Sequence, residues 1–226
     1  MNSDNLAYRA AVWIVPLIVA IVFHEVAHGW VARALGDPTA AEQKRLSLNP
    51  LRHVDPIGTV VLPLSLAIAG APVFGWAKPV PVDYRRLRRP RTGMMLVALA
   101  GPGMNLLLAA VGAIGLGLVL GGGEPTGGLR FAAEALFSFV AVNVFLALFN
   151  LLPIPPFDGG HVVEGLLPPR AAAHYAKLGR FGFPLLIGLL VVLPMLAPNL
   201  NLVQRLVAPP ARAVTEWFLS LAAAIA

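Results

Sequence analysis

Residues 10–32 read AAVWIVPLIVAIVFHEVAHGWVA and decide how the rest of the chain must be read. At about 1.5 Å per residue, a helix of this length spans the roughly 30 Å hydrocarbon core of a bilayer. The stretch runs out near Gly36-Asp37-Pro38, where a glycine and a proline stop a helix. Inside it sit His24, Glu25 and His28. Ionisable residues at that depth cost several kcal/mol unless paired or ligated, so they are functional candidates. On a helix, i and i+4 share a face, and both imidazoles can therefore reach one metal ion.

The whole chain supports a membrane setting. Of 226 residues, 58% are hydrophobic and 12% charged, about half the charged share of a soluble domain. The net charge of +6 does not indicate nucleic acid, because the basic residues lie between long apolar blocks rather than on a polar face. Cysteine is absent, which excludes a disulfide framework and thiolate ligands. Any metal must be held by histidine and carboxylate. Ala10 to Phe23 could pass for a signal-peptide core with Ala32-Arg33-Ala34 as its cleavage site, but cleavage would discard the most specific residues, so a retained helix is expected.

Beyond the first span, residues 57–76 are apolar but broken by Pro63, Gly70 and Pro72, and basic stretches flank them on both sides. A true span would put those stretches on opposite sides of the membrane, against the positive-inside rule. A re-entrant or broken hairpin is expected instead, which membrane proteins tolerate only where the irregular backbone is buried or lines a wet cavity. Clearer spans follow at 93–120 and 131–152, joined by a Gly-rich turn at 121–128. The glycines of the 93–120 span suggest close helix packing. Another span is expected near 181–196, and the final segment either spans or lies in the interface. Segments 33–56, 78–91 and 161–180 hold 13 of the 17 Lys and Arg, which predicts an external N-terminus and a cytoplasmic first loop. The fold expected is an all-α polytopic membrane protein, one membrane-embedded domain over residues 1–226.

A catalytic zinc site uses three protein ligands and accepts a carboxylate as the third. Asp158 is the candidate, since Asp4, Asp37, Asp55 and Asp83 all fall in polar segments. It follows a span directly, in the run Pro153-Ile-Pro-Pro-Phe-Asp158-Gly-Gly-His161, where prolines forbid a continuing helix and extended chain is expected. Capping of that turn is the alternative role for Asp158.

His24-Glu-Val-Ala-His28, together with Asn150-Leu-Leu-Pro-Ile-Pro-Pro-Phe-Asp158-Gly in a later span, resembles the site-2 protease family of intramembrane zinc metalloproteases. Gly75-Trp-Ala-Lys-Pro-Val-Pro81 and Ala100-Gly-Pro-Gly-Met-Asn105 extend the likeness over roughly residues 10–165. The resemblance implies a three-helix catalytic core open to the cytoplasm, one zinc ion completed by Asp158, and a role for Asn150 in positioning substrate. C-terminal helices are expected over about 181–226. His161 lies outside the matched ligand set.

The expected chemistry is peptide hydrolysis in or near transmembrane segments of membrane-protein substrates. Zinc lowers the pKa of water and polarises the scissile carbonyl, while Glu25 acts as general base. The expected partners are a transmembrane substrate and the lipid bilayer. Two other readings share the first motif: a membrane zinc carrier or sensor, which has no need of Glu25, and a tail-trimming zincin whose third ligand would be Glu164.

Overall fold

In a computed structural model, which describes residues 5–70, 73–201 and 203–226, the chain is helical throughout its regular structure. Helix α1 (Leu6–Ala34) is capped at its start by the Asn5 side chain, which accepts from the Ala7 amide. A short α2 (Thr39–Glu42) follows the turn at Gly36, whose φ of +109° suits glycine. Helix α3 (Leu62–Ile68) is also short, and the next long helices are α4 (Pro90–Leu120) and α5 (Gly127–Asn150). Then come α6 (Asp158–Leu166) and a near-continuous helical run over Pro169–Leu196, made of α7 (Pro169–Ala176), α8 (Gly182–Ile187) and α9 (Leu193–Leu196) joined by 3-10 and π turns. The chain closes with α10 (Ala208–Ile225). Among the described residues, four helices are long and apolar enough to cross a membrane: α1, α4, α5 and the 169–196 run. The last starts earlier than the span expected at 181–196, because the more polar α7 leads into it. The protein is an all-α polytopic membrane protein.

The bundle core forms where α1, α4 and α5 pack together. Small residues permit this, since lipid exerts no hydrophobic pressure between helices and close backbone approach must supply the attraction. Ala109 and Ala113 of α4 meet Val140 and Val144 of α5 with almost no exposed surface. A Cβ on Gly112 would come within 2.8 Å of the Phe139 ring. Helix α10 joins this core through Ala211, Phe218 and Ala222, with its last residue, Ile225, against Gly117 near the end of α4. It therefore belongs to the bundle rather than lying apart in an interface. The outer face of α4 leaves Leu107, Val111, Ile114 and Leu118 exposed in one helical stripe. In water such a patch would be a liability, whereas in a bilayer it faces lipid.

The segment expected to be broken is broken. A π-helical turn (Pro56–Val61) runs into α3, the two together too short to cross a bilayer, and an extended stretch returns alongside them. Residues 71–72 lie outside the described residues. The returning chain is stitched to the outgoing one: the Trp76 amide donates to the Gly58 carbonyl, Thr59 Oγ1 donates to the Trp76 carbonyl, and the Lys78 amide donates to the His53 carbonyl. Gly58 and Gly75 allow the two arms to touch, since a Cβ on either would collide with the opposite arm. Both ends of the hairpin thus lie together. The chain then passes α1 again before entering α4, held by the Asp83 amide on Asp37 Oδ2 at 2.6 Å and the Arg88 amide on the Leu35 carbonyl at 3.0 Å.

Candidate metal centre

His24 and His28 lie one turn apart on the face of α1 that packs against α4. Their rings meet edge to face, with Nε2 atoms 3.1 Å apart. Opposite them α4 presents Gly101, where a Cβ would stand 2.5 Å from both His24 Cε1 and His28 Nε2. Only glycine leaves the rings their space. His28 Nδ1 donates to the Val97 carbonyl at 2.7 Å, and a carbonyl can only accept, so in the neutral ring Nε2 carries the lone pair. His24 Nδ1 contacts Asn105 Oδ1 at 2.6 Å.

Asp158 arrives from the other side. Helix α5 ends at Asn150, and the proline-rich turn that follows folds back so tightly that Gly159 lies against the Leu151 and Leu152 carbonyls. A side chain there would clash with backbone. The extended chain expected at Asp158 does not form: the residue opens helix α6, where the turn's direction and the positive end of a helix dipole both suit a carboxylate. Its Oδ2 lies 3.2 Å from His24 Nε2 and 3.4 Å from His28 Nε2, is buried, and accepts no hydrogen bond.

Three acceptor atoms facing one another at 3.1–3.4 Å repel unless a cation lies among them. A tetrahedral zinc with bonds of about 2.0–2.1 Å sets its ligand atoms about 3.3 Å apart, which the three edges match. The donor types, two imidazoles and a carboxylate, also suit zinc. His24, His28 and Asp158 form the one group of three such residues among those described that could hold a metal.

Glu25 is the next residue on α1 and is not one of that group. Its Oε2 accepts the Val80 amide at 2.8 Å, so the returning arm of the hairpin is bonded to it. Asn150 is half-buried and turns its amide to the Leu146 carbonyl of its own helix at 2.9 Å, leaving its carbonyl oxygen uncommitted to any described partner. His161 is exposed and lies 3.6 Å from Glu164, outside the cluster. Glu164 is likewise no part of the group of three, which removes the tail-trimming arrangement.

Several contributors do not show themselves as site residues in the sequence. The glycines of α4 read there as packing residues alone, yet Gly101 makes room for the histidines. Asn105 and Asn143 are fully buried polar residues in apolar spans. The rule that intramembrane polar groups are functional would have found both. Val80 could not have been found, since only its main chain acts.

A bundle of α1, α4 and α5 with two histidines and an aspartate converging between its helices defines a membrane metallopeptidase core. The profile of peptidase family M50 matches residues 128–193. YwhC of Bacillus subtilis, named as a candidate zinc metalloprotease, is 41% identical over 180 residues, covering 79% of this chain and 79% of that protein. Rip2 of Mycolicibacterium smegmatis, named likewise, is 30% identical over 81% of this chain and 66% of its own length. MJ0611 of Methanocaldococcus jannaschii, with the same kind of name, is 34% identical over 70% of this chain and 73% of its own. No solved structure matches the chain. The chain belongs to peptidase family M50, the site-2 protease family, and is a metalloprotease.

Proposed function

We propose that the protein is an intramembrane zinc endopeptidase that hydrolyses peptide bonds in or near the transmembrane segments of membrane-protein substrates. One observation carries the reading: the buried, unbonded Asp158 Oδ2 faces two histidine Nε2 atoms at 3.2 and 3.4 Å within a helical bundle. His24, His28 and Asp158 would hold one zinc ion per chain. When bound, zinc supplies a Lewis acid that polarises the scissile carbonyl and makes water nucleophilic near neutral pH. Glu25 is the general base: it adjoins His24 in sequence, is not in the ligand group, and its carboxylate is oriented by the Val80 amide. Asn150 positions substrate, with its side-chain oxygen available. A helical substrate shields its amides, so the scissile segment must unwind to be attacked. The site opens to the cytoplasm, where 13 of 17 basic residues would lie.

The test is cleavage of a single-span substrate by the purified protein in liposomes, with and without a zinc chelator. Chelation should abolish cleavage and added zinc restore it. Cleavage that persists in Glu25→Gln at the parent's single-turnover rate would end the mechanism. A carrier would instead move zinc across the liposome membrane without cutting anything.

A further inference from the structure

The metal-facing nitrogen of His24 is chosen by a chain of side-chain amides that begins on a different helix. The Phe139 carbonyl of α5 can only accept, and Asn143 Nδ2 donates to it at 2.9 Å. Asn143 must therefore turn Oδ1 the other way, where it accepts from Asn105 Nδ2 at 2.8 Å. The same Asn105 Nδ2 donates to the Ala20 carbonyl of α1 at 3.2 Å, so two acceptors fix that amide's orientation. Its Oδ1 is left facing His24 Nδ1 at 2.6 Å, and the contact is a hydrogen bond only if Nδ1 carries the proton. In the neutral ring Nε2 is then the lone pair, and it points at His28 and Asp158.

We infer that Asn105, oriented by Asn143, is a positioning residue that sets the tautomer and ring angle of His24 for metal binding. The inference rests on the zinc-site reading above. Both asparagines are fully buried, with no exposed surface. Two amides sequestered in a membrane bundle are expensive unless every polar atom is used, and here Nδ2 and Oδ1 of both are used. His28 takes its orientation from a main-chain carbonyl, which side-chain substitution cannot remove. His24 Nδ1 instead meets a side-chain oxygen, Asn105 Oδ1. Groups that orient a metal-bound histidine typically contribute 10- to 100-fold in metal affinity.

The experiment measures zinc dissociation by chelator competition on the full chain in detergent, alongside the visible spectrum of the cobalt-substituted protein and the melting of the zinc-free form. Asn105→Ala should weaken zinc about 10- to 100-fold and shift the cobalt bands. Asn105→Ser should behave alike, because a serine hydroxyl in a helix returns to its own backbone and is too short to reach His24. Asn105→Asp keeps an acceptor oxygen for His24 Nδ1 but sets a second acceptor against Asn143 Oδ1 and the Ala20 carbonyl, so it should bind zinc more weakly than the parent. Asn143→Ala should weaken zinc less than Asn105→Ala does, because the Ala20 carbonyl still holds the Asn105 amide. If Asn105→Ala and Asn105→Ser melt as the parent does and retain its zinc affinity, the inference is overturned. It is overturned equally if the cobalt bands of Asn105→Ala and Asn105→Ser match the parent's. Failure of the zinc-site reading looks different: His24→Ala would then bind zinc as the parent does, whatever Asn105 variants show.

Discussion

The Val80 amide donates to Glu25 Oε2 at 2.8 Å, so a main-chain group from the returning arm of the hairpin, rather than another side chain, holds the proposed base. No substitution that keeps an N–H at this position removes the contact. Val80→Pro does, and since hydrogen bonds to charged groups contribute about 1.5–3 kcal/mol, cleavage should fall roughly 10- to 100-fold. Zinc content should be unchanged, because the Val80 amide is bonded to Glu25, which is not in the ligand group. Metal analysis beside a cleavage assay checks both halves, and parallel loss of zinc would show that the hairpin shapes the metal centre itself.

Glu25→Gln preserves shape but cannot take a proton. Zinc should stay at about one per chain, while cleavage falls by at least about a hundredfold, typical of a lost general base. His24→Ala and His28→Ala should each lose most of the zinc, and Asp158→Asn should weaken retention, since a neutral amide is a poorer ligand. Zinc content equal to the parent's in both histidine variants would remove the assignment.

Gly101→Ala adds one methyl group 2.5 Å from His24 Cε1 and His28 Nε2. The rings must move, so zinc binding and activity should both fall sharply. Helix content by circular dichroism should remain, because alanine is the best helix former and sits on an intact α4. An active Gly101→Ala protein would show that the ring positions are not critical.

Asp37 follows α1 and is fully buried, where its carboxylate accepts from the Thr39 amide at 3.0 Å, the Thr39 hydroxyl, and the Asp83 amide at 2.6 Å. Burial pushes its pKa up, but these hydrogen bonds and the nearby Arg86 outweigh that and hold it below the ordinary carboxylate value. A depressed folded pKa gives stability that is fully present above the unfolded value of about 3.9 and is lost as pH falls through the lower folded value. Asp37→Ala should lower stability by about 1–3 kcal/mol for each donor left unpaired, and should flatten the acid limb of the stability curve. Denaturation followed at neutral and acidic pH checks the sign.

The orientation can be read with single cysteines in a chain that has none. Arg88 precedes α4 and Glu124 follows it, and both are exposed. Arg88→Cys should be labelled only from the cytoplasmic side and Glu124→Cys only from the other. Labelling in the opposite sense would overturn the proposed cytoplasmic opening.

Much of this is legible in residue order. The long apolar blocks mark four spans, because nothing but a helix satisfies the backbone in lipid over that length. His24 and His28 are readable as a pair since helical periodicity fixes their shared face. The break at 57–76 follows from Pro63, Gly70 and the charge on both flanks, and the hairpin bears it out. The local geometry of Asp158 is not legible in the same way: prolines argue for extended chain, but the turn completes itself by residue 157 and a helix starts at once.

What the sequence alone determined, then, was where the helices run and which residue types could ligate a metal, since both depend on composition and near-neighbour spacing. Tertiary structure decided which atoms meet. Asp158 reaches the histidines because Gly159 lets the chain fold against its own carbonyls, and the Val80 amide reaches Glu25 because a hairpin returns past α1. Asn105 finds His24 across 81 residues of chain. Such contacts are set by packing between distant segments, and no local pattern encodes them.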